Sequence, residues 1–144
     1  MNKCVRNILC VPILILTSFI AVAPAQEVSV PDPGLNAAIR EALEKPVGLL
    51  TEQDLLSLTV LEARGRNISN VDGLEVARNL VVLDLGVNHL TNFSLPAALV
   101  NLETLDLGAN SLTNCFLPGG LTNLAKLVLQ ANALTRLTLP ADLT

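Results

Sequence analysis

One stretch decides how this chain folds: Leu80-Val81-Val82-Leu83-Asp84-Leu85-Gly86-Val87-Asn88-His89-Leu90. The pattern returns 22 residues later as Leu102-Glu103-Thr104-Leu105-Asp106-Leu107-Gly108-Ala109-Asn110-Ser111-Leu112, and then as Leu124-Ala125-Lys126-Leu127-Val128-Leu129-Gln130-Ala131-Asn132-Ala133-Leu134. Every copy fits L-x-x-L-x-L-x-x-N-x-L, where x is any residue. A fixed period of this length predicts repeated units that stack on one another, because one unit cannot bury its apolar side chains alone.

The composition agrees with a stack of similar layers. The 144 residues are 51% hydrophobic, yet they include no Trp, no Tyr and only three Phe, so most of the apolar mass is aliphatic. The formal net charge is −4, and loss of a leader carrying Lys3 and Arg6 would make it two units more negative. This balance argues against a nucleic-acid partner, which needs a basic surface, and against electrostatic docking on anionic lipid.

Residues 1–25 have the pattern of a secretory signal peptide. Two basic residues precede an apolar run, and Ala23-Pro24-Ala25 is a small-residue cleavage site, so we predict cleavage after Ala25. The alternative is an uncleaved membrane anchor. It is disfavoured because the run is short of the about 20 apolar residues that a span needs and contains Pro12. We therefore expect a secreted or cell-surface protein that has no membrane segment after cleavage.

Residues 26–58 lack the repeat and predict a helical N-terminal cap. Asp32 before Pro33 indicates the start of a helix, because Asp accepts a bond from a free helical N–H and Pro has none to lose. Thr51 with Asp54 three residues later predicts a capping box that opens a second, short helix. A stack of repeats needs such an atypical terminal unit to cover its first layer.

Residues 59–144 carry the repeats, one degenerate and about three regular, with the last one cut off. In the degenerate copy Ala63 replaces a Leu and Arg66 replaces the Asn. Between the core motifs, a proline recurs at one place in each return segment, at Pro96, Pro118 and Pro140. Proline has no N–H for a sheet, so we expect loops or short turns on this convex side.

Side chains of a strand alternate between its two faces. In the second repeat Leu83 and Leu85 therefore point into the coil, and Val82 and Asp84 point out. Stacked coils place these short strands about 4.8 Å apart as a parallel sheet, which packs the inward Leu side chains in columns.

The Asn of the motif recurs where each strand leaves the sheet, at Asn88, Asn110 and Asn132. Its side chain has both a donor and an acceptor, so it can satisfy backbone groups that have left the ladder. We predict that these three residues form a structural ladder, each bonding its own turn and the next coil's. Their constant spacing argues against the alternative that they are loop residues with no structural role.

The motif at a period of 22 residues over residues 58–144 resembles the leucine-rich repeat family. With the helical segment before it, the chain is similar to secreted bacterial proteins of the internalin-like type. The resemblance implies an α/β fold, a right-handed solenoid with a concave parallel β-sheet, a loop or turn convex side and a helical N-terminal cap. It also implies a protein ligand. Arg66 and the repeated Leu-Pro of the return segments depart from the most regular repeats of that type.

The outward positions define the predicted binding face, in three columns. Column one holds Val60, Val82, Thr104 and Lys126, column two holds Glu62, Asp84, Asp106 and Val128, and column three holds Arg64, Gly86, Gly108 and Gln130. Binding is expected at Glu62, Asp84, Asp106, Val82, Thr104, Lys126, Arg64 and Gln130.

Column two is the sharpest feature of this face. Stacked carboxylates repel by somewhat under ~1 kcal/mol per neighbouring pair in water, and a structural repeat does not require them. The column could receive a basic partner or a loosely held cation. The alternative is a solvated repeat position inherited by duplication.

No catalytic site, metal site or cofactor site is predicted. His89 is the only His, and no serine elbow or triad can be assembled. Cys115 would be the only cysteine after signal cleavage, and it aligns with the apolar Phe93 and Leu137. This position favours a core side chain over a nucleophile.

The sequence therefore predicts a secreted or surface-displayed protein that binds another protein and is not an enzyme. The alternative is a non-catalytic recognition arm or structural spacer of a larger secreted protein or enzyme. The sequence stops mid-repeat at Thr144, so self-association through an uncapped C-terminal repeat is also expected.

Overall fold

The structure, a computed structural model, describes residues 26–143, so the predicted signal peptide and Thr144 lie outside the described residues. It is a parallel-strand solenoid of about four coils, which confirms the predicted fold class. The elements in chain order are α1 (Pro33–Ala42), α2 (Glu52–Leu56), β1 (Val60–Glu62), a 3-10 helix (Leu74–Val76), β2 (Val82–Asp84), β3 (Asn92–Ser94), β4 (Thr104–Asp106), β5 (Asn114–Phe116), β6 (Lys126–Val128) and β7 (Arg136–Thr138).

The first sheet contains one strand from each coil, in the order β1-β2-β4-β6, with every pair parallel. Its register is the sequence period, since Leu61 pairs with Leu83, Leu83 with Leu105, and Leu105 with Leu127. The first three of these side chains are fully buried. The predicted inward Leu column is thus confirmed, and the stack of coils is held by one continuous apolar core.

A second sheet lies in the return segments, with the parallel order β3-β5-β7, and we name it the return sheet. The predicted loops and turns occur around the prolines, but the residues before each proline form strands that the sequence analysis did not predict. Phe93 is buried between the exposed Asn92 and Ser94, which is the alternation of a strand with one covered face. Pro96 comes after the strand has ended, so its missing N–H costs no pairing within β3.

The helices before the first strand begin where the sequence predicted. Asp32 Oδ1 accepts a bond from the Leu35 N–H at 3.0 Å, and Thr51 and Asp54 form the reciprocal capping box. Lys45 Nζ lies 2.6 Å from Asp54 Oδ2, and this hydrogen bond, together with those from Thr51, lowers the pKa of Asp54 to about 2. The boundary of a cap at residue 58 remains a prediction.

Helix α1 packs closely on the first coil. A Cβ atom placed on Gly34 would lie only 2.1 Å from the backbone oxygen of Arg66, so this approach requires glycine. Leu35, Ala38 and Ile39 are the buried residues of the helix. The apolar face of α1 therefore covers the first layer of the core, as a terminal unit must.

Asp32 joins the helical segment to the repeats, which the sequence analysis did not foresee. Its Oδ2 accepts bonds from the Ser69 N–H at 2.9 Å, the Ser69 hydroxyl at 3.1 Å and the Asn70 N–H at 3.2 Å. The side chain is buried. Burial alone would raise the pKa of Asp32, but the bonds from Ser69, Leu35 and Asn70 outweigh it and lower the pKa below 3.8.

This junction predicts a pH-dependent stability. Because the pKa of Asp32 is lower in the folded state, its contribution is complete above the unfolded value near 3.8 and is lost as the pH falls through the folded value. Asp32→Asn removes the charge and one acceptor oxygen, so we expect it to lower the free energy of unfolding by about 1–3 kcal/mol at neutral pH. The difference from wild type should shrink at about pH 3.

Urea unfolding followed by circular dichroism at both pH values measures this difference. Asp54 titrates in both proteins, so its effect cancels. Glu103→Gln, which neutralises an exposed carboxylate, is the control and should match wild type at both pH values. A deficit of Asp32→Asn that is the same at both pH values would contradict the prediction.

Candidate functional site

The outward face of the first sheet brings together the predicted columns one and two. Val82 pairs with Thr104 and Thr104 with Lys126, while Glu62 pairs with Asp84 and Asp84 with Asp106. Val60 and Lys126 are exposed at the two ends of column one, and Val82 and Thr104 between them are half-buried. Column one is thus apolar towards β1 and polar towards β6.

Column three lies beyond the ends of these strands, but backbone bonds continue the ladder through it. The Gly65 N–H donates to the Gly86 carbonyl at 3.0 Å, the Val87 N–H to the Gly108 carbonyl at 2.8 Å, and the Ala109 N–H to the Gln130 carbonyl at 2.8 Å. All three predicted columns therefore share one continuous surface.

Two carboxylates of column two also have a local structural role. Asp84 Oδ1 accepts a bond from the Gly86 N–H at 2.8 Å, and Asp106 Oδ1 accepts one from the Gly108 N–H at 2.7 Å. In these two coils the aspartate thus closes a turn over the two residues that follow it. An acid at this position satisfies a backbone donor at the point where the strand ends.

Arg64 lies across this column. Its Nη1 is 3.8 Å from Asp84 Oδ1 and 3.7 Å from Asp106 Oδ2, so it offsets part of the negative charge without a short hydrogen bond. Gly86 leaves room for it, because a Cβ atom there would lie 2.3 Å from Nη1. The pairs are partly exposed and contribute at most about 1 kcal/mol, so a binding partner could displace Arg64 at little cost.

The predicted Asn ladder is present, but its direction was wrong. Asn88 Oδ1 accepts bonds from the Arg66 and Ile68 N–H groups, and its Nδ2 donates to the carbonyls of Ala63, Leu85 and Gly86. Asn110 and Asn132 repeat the arrangement. Each Asn therefore bonds its own turn and the preceding coil, because the backbone groups of that coil are the ones within its reach.

The residue before each ladder Asn adopts a left-handed conformation, which the sequence analysis missed. The φ angles are 56° at Val87 and 54° at both Ala109 and Ala131, and the aligned Gly65 has 67°. This conformation turns the chain out of the strand and is unfavourable for a β-branched residue such as Val87. Gly65 was the available signal, since it occupies this position in the degenerate copy.

The other residues considered for chemistry lie apart from this face. Cys115 is a free, buried thiol, and burial raises its pKa, as suits a core side chain. His89 is exposed, with Nε2 3.2 Å from Asn67 Oδ1. Within residues 26–143 no three His, Cys, Asp or Glu side chains are grouped so that they could hold a metal ion. No helix in the same part of the chain has the length and apolarity to cross a membrane.

Comparisons with known proteins agree with this architecture. The family model described as "Leucine Rich repeats (2 copies)" matches residues 78–118. A search of curated proteins found no significant match. Among solved structures, the chain is similar to an internalin (inlF) from Listeria monocytogenes, with 29% identity and a TM-score of 0.66 over 85% of this chain and 41% of that one.

Two further structures are similar. The functional domain of InlJ from Listeria monocytogenes, described as including a cysteine ladder, has 27% identity and a TM-score of 0.66 over 77% of this chain and 24% of its own. The structure of the CBM51-2 and INT domains of Clostridium perfringens ZmpB has 27% identity and a TM-score of 0.52, over 64% of this chain and 20% of its own. The chain thus spans less than half the length of each of these proteins.

The two roles of column two, turn closure and charge, can be separated by substitution. Asp106→Asn keeps an acceptor oxygen for the Gly108 N–H, so we expect its free energy of unfolding to stay within about 0.5 kcal/mol of wild type. Asp106→Ala removes the acceptor and should cost about 1 kcal/mol. Chemical denaturation of both variants measures the difference. Equal stability of the two variants would show that the turn does not depend on this bond.

Proposed function

Because the chain is a leucine-rich repeat protein of the internalin-like type, we propose that it is secreted or displayed on the cell surface and binds a protein through the outward face of its first sheet. The face consists of columns one to three. Stacked repeats present an extended surface that such proteins use for binding, so the proposed role is binding.

One observation carries this proposal. The inward positions of the first sheet keep one residue type, Leu83, Leu105 and Leu127, whereas column one changes from valine to threonine to lysine at the positions directly beside them. The fold restricts the inward side chains, because each must fill the same space in its layer. Outward side chains are free of that restriction, so they can differ to match a partner.

The chemistry of the face suits a protein surface. Val60 and Val82 give an apolar contact at one end, and Lys126 gives a cation at the other. Beside column one, Arg64 forms long ion pairs with two carboxylates of column two and can exchange them for an ion pair with a partner. Interfaces between proteins combine apolar contacts with polar and charged groups.

Secretion rests on the sequence of residues 1–25, with cleavage after Ala25 leaving Gln26 first. Export would place the first sheet in contact with extracellular or cell-surface proteins.

The double variant Val82→Lys/Thr104→Lys tests the binding face. The aligned residue Lys126 shows that the coil accepts lysine at this position, so the fold should be retained. The purified chain is immobilised and screened against a library of secreted and cell-surface proteins, and the affinity of each binder is measured by surface plasmon resonance. We expect the variant to weaken specific binding at least about tenfold, because two charges are added to the contact.

The matched control is Asn92→Arg/Asn114→Arg on the return sheet, where the aligned Arg136 shows that arginine is accepted. It adds the same charge on the other sheet and should leave binding unchanged. Equal loss in both double variants would overturn the proposal that the first sheet is the binding face. Asp84→Asn/Asp106→Asn isolates column two, which has no part in binding if the affinity stays the same.

A further inference from the structure

The return sheet presents a second outward face that the proposed function does not use. Two columns of side chains cross it in register, one with Asn92, Asn114 and Arg136 and the other with Ser94, Phe116 and Thr138. They line a shallow depression of about 450 Å³. The strands bring these side chains to one surface, where an extended ligand could contact all three coils.

Phe116 is at the centre of this face, and the repeat gives no reason for it. The aligned positions hold Ser94 and Thr138, so the coil forms without an aromatic ring there. Phe116 is 49% exposed, whereas Phe93, the other phenylalanine among the described residues, is buried in the core. The ring therefore lies open at the centre of the depression, where a ligand can contact it.

The groups around the ring are hydrogen-bonding and are fixed in place. The Asn114 amide donates to Asn92 Oδ1 at 2.8 Å, which orients both side chains across two coils. Ser94 and Thr138 add hydroxyl groups on either side of Phe116. An aromatic ring beside oriented amides and hydroxyls matches the two faces of a sugar, whose C–H groups are apolar and whose hydroxyls both donate and accept.

The charge of this face is opposite to that of the whole chain. Its six residues contain one cation, Arg136, and no carboxylate, whereas the chain has a net charge of −4. The nearest aligned acid is Asp72, one coil before Ser94 and at the end of the face away from Arg136. A planar guanidinium pairs well with a carboxylate, so an acidic sugar fits here better than a neutral one.

We propose that the outward face of the return sheet binds an anionic polysaccharide built of uronic acid units. A carboxylate pairs with Arg136, a sugar ring lies on Phe116, and hydroxyl groups bond Asn114 and Ser94. The chain of sugars runs across the strands, whose spacing of about 4.8 Å is close to the length of one unit in an extended β-1,4-linked polymer. Successive sugars thereby meet successive coils.

A polysaccharide suits this face better than a second protein does. The fully buried core of a protein–protein interface is more apolar than the rest of the protein surface. Here a single ring is surrounded by amides, hydroxyls and a guanidinium, and the depression is shallow. Such a surface keeps water around a ligand that brings its own hydroxyl groups, and water-mediated contacts retain most of the affinity of direct ones.

Isothermal titration calorimetry of the purified chain with oligomannuronate, a β-1,4-linked uronic acid oligomer, tests the proposal. We expect saturable binding that weakens about tenfold in Arg136→Asn and in Phe116→Ser, since each variant removes one charged or apolar contact. Both substitutions introduce residue types that the same column already holds, so the coil is preserved. Neutral cello-oligosaccharide should bind more weakly than oligomannuronate.

Lys126→Thr is the matched control, because it removes one positive charge from the first sheet and restores the residue type of Thr104. It should leave oligomannuronate binding unchanged. Weakening by Lys126→Thr equal to that by Arg136→Asn would show non-specific attraction and overturn the site. Absence of saturable binding to wild type, or equal binding of the neutral oligomer, would overturn it as well.

Discussion

The structure depends on one constraint: a chain that leaves a parallel strand must satisfy its backbone groups before it can begin the next side of the coil. The ladder Asn meets this constraint with one side chain. The Asn88 side chain accepts hydrogen bonds from two backbone N–H groups and donates to three carbonyl groups. One of these carbonyls, that of Ala63, belongs to the preceding coil. Each coil is therefore fastened to the one before it at its tightest bend, and the left-handed residue at Val87 brings the Asn to that point.

The fixed bend has a consequence for function. Because every coil turns at the same residue, positions 22 apart lie side by side, and any outward residue becomes part of a column. Each of the last three coils contributes one strand to each of the two sheets, so there are two such surfaces. The first combines aliphatic side chains with ion pairs, whereas the return sheet combines one aromatic ring with amides. The same scaffold thus offers two chemically different faces.

The first coil shows how the repeat begins. It has Arg66 where later coils have Asn, so it lacks the side-chain amide that bonds each later coil to the one before it. Asp32 takes this role from the helical segment, because its carboxylate accepts hydrogen bonds from the N–H groups of Ser69 and Asn70. A buried carboxylate replaces a buried amide at the point where the repetition starts. Next to these hydrogen bonds, the close approach of Gly34 to the Arg66 backbone lets α1 pack against the first coil.

The sequence by itself determined the period, the inward Leu columns, the Asn ladder, both helix starts and the membership of the outward columns. These features are periodic or lie within four residues along the chain, so spacing alone reveals them. Only the tertiary structure decided the direction of the ladder, the strands of the return sheet and the position of Arg64. Each of these depends on which groups of a neighbouring coil lie within reach, and that is a property of the stack rather than of any one repeat.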